Sequence, residues 1–116
     1  MKIQFKHDVD PMDLLKLTQN CAILLVAVYD FLTERGIPMT ITSLQGDREN
    51  VKAVSRTHES GRAFDIRIKH INNDQVKEIA DYFNTSYHNI AAISARSGKP
   101  HCAVVKPDHI HFQVRP

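Results

Sequence analysis

The stretch Ser55-Arg56-Thr57-His58-Glu59-Ser60-Gly61-Arg62-Ala63-Phe64-Asp65-Ile66-Arg67 organises the rest of the chain. Its second half alternates. From Arg62 to Ile68, the side chains of Phe64, Ile66 and Ile68 point to one side of a strand, and those of Ala63, Asp65 and Arg67 to the other. Its first half closes an aperiodic loop, Leu44 to Thr57, that carries Gly46, Asp47, Arg48, Glu49 and Asn50. Gly61 permits a sharp turn between loop and strand. The stretch therefore sends an apolar row toward a core and the carboxylate of Asp65 toward the opposite face, seven residues after the imidazole of His58.

A second stretch, Pro107-Asp108-His109-Ile110-His111-Phe112, completes the pattern. Cys102 to Val105 and His109 to Val114 read as two strands of a hairpin, separated by Lys106-Pro107-Asp108. On the second strand Ile110, Phe112 and Val114 face one way, and His109, His111 and Gln113 the other. If both apolar rows face one core, Asp65 and His111 share the polar face. Two imidazoles and one carboxylate, with a fourth position left for water, form a catalytic zinc arrangement rather than a closed structural one. On spacing alone, His109 and His111 are equal candidates for the third ligand. An ideal strand would put Asp108 and His111 on opposite faces, so Asp108 is expected in the turn before the regular strand begins. His7, His70, His88 and His101 belong to no pattern and read as surface or structural residues.

Outward from these stretches the chain reads as scaffold. Lys2 to Lys6 alternates and forms a short strand. Asp10-Pro11-Met12-Asp13 starts a helix, with Asp10 as cap, Pro11 at the first helical position and Asp13 at the positive end. Leu14, Leu17, Cys21, Leu24, Leu25, Val28, Phe31 and Leu32 carry helical spacing to about Arg35, where Gly36 and Pro38 stop it. Its middle is apolar nearly all round, the pattern of a central buried helix. Met39 to Ser43 is a strand. Asn72 or Asn73 caps a second helix, Asp74 to Tyr87, with Val76, Ile79, Ala80 and Phe83 as its apolar stripe. Ile90 to Ser94 is a further strand and Ala95 to His101 a loop. The expected fold is α+β, a mostly antiparallel sheet packed against two helices, in one domain spanning residues 1–116.

Bulk properties set limits. The chain of 116 residues has 42% hydrophobic and 24% charged residues, ordinary for a soluble globular protein. A net charge of +2 gives no field for phosphate neutralisation, so nucleic-acid binding is not expected. Cys21 and Cys102 form either a disulfide or two buried thiols. Their apolar surroundings, in a chain that does not look like a stapled scaffold, favour thiols. The N-terminus lacks the apolar core of a signal peptide. The longest apolar run, Cys21 to Tyr29, is far shorter than the roughly 20 residues that span a bilayer. Synthesis in the cytoplasm without membrane insertion is expected, as a monomer.

Thr57-His58-Glu59-Ser60-Gly61-Arg62-Ala63-Phe64-Asp65-Ile66 resembles the His-x-x-Gly-x-Ala-x-Asp signature of the M15 zinc peptidases, the D-Ala-D-Ala carboxypeptidases and L-alanyl-D-glutamate endopeptidases. Asp108-His109-Ile110-His111 resembles that family's second signature, and the likeness extends over about residues 39 to 116. It implies the hedgehog/DD-peptidase fold and zinc held by His58, Asp65 and His111. It implies Asp108 as general base, taking a proton from the attacking water, and His109 beside the metal, stabilising the tetrahedral intermediate. An arginine upstream of the first histidine would hold the substrate carbonyl; Arg48 is the better match and Arg56 the second. The chain departs from the family in carrying Arg56 where a serine is usual, two residues before His58. The implied activity is hydrolysis of an amide in peptidoglycan peptides at a D-amino-acid centre. Without a secretion signal or wall-binding segment, the setting resembles that of a phage lysin reaching the wall on release. A non-catalytic, zinc-stabilised hedgehog-like binding module is the alternative, and Asp108 separates the two, since binding alone gains nothing from a carboxylate beside an open zinc position.

Overall fold

The computed structural model describes residues 2–44, 60–94 and 97–116. Among them a five-stranded sheet runs in the order β1-β2-β3-β7-β6, built from β1 (Gln4–Phe5), β2 (Thr40–Ser43), β3 (Ala63–Arg67), β7 (His109–Gln113) and β6 (Ala103–Val105). Only β1 and β2 run parallel; the other pairings are antiparallel. A separate ribbon pairs β4 (Ala92–Ile93) with β5 (Pro100–His101). Two helices, α1 (Gln19–Glu34) and α2 (Asn73–Ser86), bury their apolar stripes in the same core as the sheet. The fold is α+β, as the alternation and helical spacing predict.

The two expected apolar rows do form the core. Phe64, Ile66, Ile110, Phe112 and Val114 are at most 1% exposed. Phe64 and Phe112 stack with ring centroids 5.0 Å apart, and Phe83 of α2 meets Phe112 edge-on at 5.7 Å. Such pairs add to area burial roughly 1 kcal/mol each. Asn72 caps α2 through a reciprocal pair: its side chain accepts from Gln75 N at 2.8 Å, and the Gln75 side chain accepts from Asn72 N at 3.3 Å.

Three expectations need correction. The single helix from Asp10 to Arg35 is two pieces, a 3₁₀ segment at Pro11–Lys16 and then α1. The break has a local cause. Thr18 N donates to Gly61 O at 2.9 Å, so it makes no bond within a continuous helix. Its side chain instead caps α1 by accepting from Cys21 N at 3.3 Å. Nor is α1 buried all round. Ile23 and Val26 are 50% and 42% exposed and line a groove with Tyr82 and Tyr87. Finally, the strand expected at Ile90–Ser94 shrinks to Ala92–Ile93 after a 3₁₀ turn at His88–Ile90, and its partner Pro100–His101 comes from the region expected to be loop.

Gly61, just before β3, packs against the main chain of Lys16 and Leu17. Its φ is +72°, and a Cβ there would overlap the Lys16 carbonyl oxygen and sit 3.2 Å from its carbon. Positive φ and close backbone approach both demand glycine. No helix of the described residues is long and apolar enough to cross a membrane.

Candidate metal centre

β3 and β7 pair in a register that sets Asp65 directly opposite His111, and Arg67 opposite His109. Directly opposed residues on one face hold their Cβ atoms about 5 Å apart. The same row continues to Ser43 on β2 and Val104 on β6. Strand periodicity thus brings residues 46 positions apart into contact: His111 Nδ1 lies 2.8 Å from Asp65 Oδ1. The shared polar face expected from alternation is present.

The other atoms extend this pair into a chain of polar contacts across the face. His109 Nε2 lies 3.6 Å from Asp65 Oδ2, and its Nδ1 lies 2.6 Å from Asp108 Oδ1. On the other side His111 Nε2 lies 3.0 Å from Gln113 Oε1, and Gln113 Nε2 donates to His101 O at 3.0 Å. Side-chain exposure grades along the chain, from 86% at Asp108 through 28% at His109 to 15% at His111. The face therefore opens toward the Asp108 end.

Asp108 stands before β7, as the parity of the strand requires. Lys106 N donates to His109 O at 2.8 Å, closing a tight turn over Pro107 and Asp108. The hydrogen bond from His109 holds the Asp108 carboxyl below its ordinary pKa, helped by the charge of His109. Burial and the Asp65 carboxylate act weakly in the opposite sense, so the carboxylate stays ionised.

His58, Arg48 and Arg56 lie outside the described residues, which therefore contribute two of the three expected ligands. Among the described residues no group of three His, Cys, Asp or Glu side chains is arranged to hold a metal. The pair that is described fits one in chemistry. A carboxylate oxygen and an imidazole nitrogen are zinc donors, and a tetrahedral ion would hold them about 3.3 Å apart. At 2.8 Å they are hydrogen-bonded, so an ion held by both would take the place of the shared hydrogen.

Two residues on this face were not singled out by sequence. Gln113 was placed on the polar side by alternation, yet it is only 3% exposed. Its end of the face is covered, and His101, whose carbonyl it binds, belongs to the β4–β5 ribbon that sequence read as loop. Arg67 is half-buried and has no ion-pair partner among the described residues, although it shares a strand face with Asp65. Cys21 and Cys102 are buried free thiols, and burial pushes each up to about 12. Comparison with protein-family models, with curated proteins and with solved structures found no match.

Proposed function

We propose that the chain is a zinc-dependent peptidase of the hedgehog/DD-peptidase type, hydrolysing an amide in D-amino-acid-containing peptidoglycan peptides. The observation that carries this reading is the cross-strand contact of Asp65 with His111 at 2.8 Å, continued through His109 to Asp108 at the open end of the face. A purely structural polar pair gains nothing from that exposed extension. Asp65 and His111 hold the ion, with His58 as the third ligand. When bound, zinc supplies Lewis acidity, acidifying water and polarising the amide carbonyl. Asp108, ionised and exposed, accepts the proton of the attacking water and returns it to the leaving amine. His109 keeps one ring nitrogen on Asp108 and the other toward Asp65, which fixes its plane beside the reacting carbonyl. Arg48, with Arg56 as second choice, holds the carbonyl oxygen. Arg67, opposite His109 and without an ion-pair partner among the described residues, supplies a cation for a substrate carboxylate. The substrate reaches the protein when a lysin-like release exposes the wall.

The test is digestion of purified peptidoglycan by zinc-loaded protein, with released ends identified by mass spectrometry. Wild-type protein releases new amino termini. Asp108→Ala retains zinc and releases none. Equal release by both removes Asp108 from the mechanism; zinc binding without release by wild type makes the chain a binding module.

A further inference from the structure

Gln113 is one of two polar residues buried among the described residues, at 3% exposure. A buried primary amide costs roughly 1–3 kcal/mol unless its oxygen and nitrogen both find partners. Both do. Nε2 donates to the His101 carbonyl oxygen, and Oε1 faces His111 Nε2, each at 3.0 Å. Only one orientation satisfies both contacts. A carbonyl oxygen can only accept, so the amide nitrogen must face His101, and the amide oxygen must face His111. That oxygen also can only accept, so Nε2 carries a hydrogen, and the hydrogen that Nδ1 shares with Asp65 is the one a metal would displace. The nitrogen left toward Asp65 is Nδ1.

We propose that Gln113 is a positioning residue that selects Nδ1 of His111 as the metal-ligating nitrogen and locks the ring plane. The inference rests on the reading of Asp65 and His111 as a metal pair. A ligating histidine needs its other ring nitrogen tied to an acceptor, and loss of such a partner typically weakens metal affinity 10- to 100-fold. In most such sites the acceptor is a carboxylate or a main-chain carbonyl. Here it is a neutral amide, itself held by the β4–β5 ribbon through His101. The arrangement adds no charge near the ion, and it ties the seating of His111 to the packing of that ribbon.

Two variants separate this role from simple tethering of the ribbon. Gln113→Met has similar length and neither donor nor acceptor. Gln113→Glu restores an acceptor toward His111 but, as a carboxylate, offers no donor to His101. Both lose the ribbon contact, so both are expected to lose stability in urea denaturation. Zinc affinity, measured by competition with a chromophoric chelator, is expected to fall 10- to 100-fold in Gln113→Met and to stay within about threefold of wild type in Gln113→Glu. The visible band of the cobalt-substituted protein shifts in the first variant only. Equal zinc affinity in Gln113→Met and wild type overturns the proposal, as does parallel loss in both variants. Wild type that binds no zinc overturns the metal reading itself, and the proposal with it. A long-range ¹H–¹⁵N spectrum of histidine-labelled, zinc-loaded wild type needs no variant. A hydrogen retained on His111 Nε2 is expected, and a metal on Nε2 would refute the assignment.

Discussion

Gly61→Ala tests the joint between the candidate site and the N-terminal segment. At φ +72°, an alanine pays roughly 1–2 kcal/mol for left-handed backbone. Its Cβ also meets the Lys16 main chain, which cannot rotate away as a side chain would. Forced overpacking of this kind costs about 1–3 kcal/mol more. Moving Lys16 also threatens the Thr18 N–Gly61 O bond at 2.9 Å, worth about 1 kcal/mol. The sum is about 3–6 kcal/mol, a large share of a small domain's stability. The fold supplies its own controls. Gly36 and Gly98 both have φ +69° with nothing within 4 Å of an added Cβ. Alanine at either carries the backbone cost alone, partly offset by reduced freedom of the unfolded chain. Urea denaturation at constant m-value should place Gly61→Ala at least about 2 kcal/mol below both controls. Equal midpoints for the three variants would refute the close approach of Gly61 to Lys16, and with it the account of why the N-terminal helix breaks at Thr18.

Asn84 of α2 accepts from both Cys102 N and Ala103 N at 2.8 Å and donates to Ala103 O at 2.9 Å. Asn84→Ala strands three main-chain groups and should cost about 3 kcal/mol in chemical denaturation, with amide exchange quickened first at Cys102 and Ala103. Cys21 and Cys102 should resist a thiol reagent at pH 8 in the native protein and react fully once it is unfolded. Their folded values, about 12, exceed the ordinary 9.0 of the unfolded chain. The stability they confer is therefore complete below pH 9 and lost as pH rises toward 12, at up to about 1.4 kcal/mol per pH unit for each thiol. Replacing both by alanine should flatten that limb of the stability curve. For Arg67→Gln, cleavage of peptides with a free carboxylate should show KM raised about tenfold and kcat little changed, while carboxamide analogues are unaffected; equal KM values would remove Arg67 from substrate binding.

The site was legible where strand periodicity carries the information. Alternation in Arg62 to Ile68 and His109 to Val114 puts Asp65 and His111 on one face, and the register then needs only that the two strands be neighbours. The tight turn at Pro107-Asp108 explains why Asp108 escapes that parity. What sequence could not show came from contacts between segments remote in the chain. Thr18 has ordinary helical neighbours, and its part in the break, a main-chain bond to the Gly61 carbonyl together with a side-chain cap on Cys21 N, shows only in the fold. Pro100 and His101 lack strand character by themselves, and pairing with Ala92 and Ile93 supplies it.

Gln113 shows the same limit at the site itself. Alternation places it correctly on the polar face but says nothing of its burial. It is buried in the fold, and the contact that meets its amide nitrogen there comes from His101 of the β4–β5 ribbon, which alternation does not reveal. A glutamine two residues beyond a candidate ligand on the same strand face lies within reach of that ligand's far nitrogen. Its function depends on whether a second acceptor orients the amide. At Gln113 the acceptor is a main-chain carbonyl, so the orienting group leaves no trace in side-chain identity. For this candidate site, then, period two places Asp65 and His111 on one face, while the group that faces the far nitrogen of His111 is set by a tertiary backbone contact.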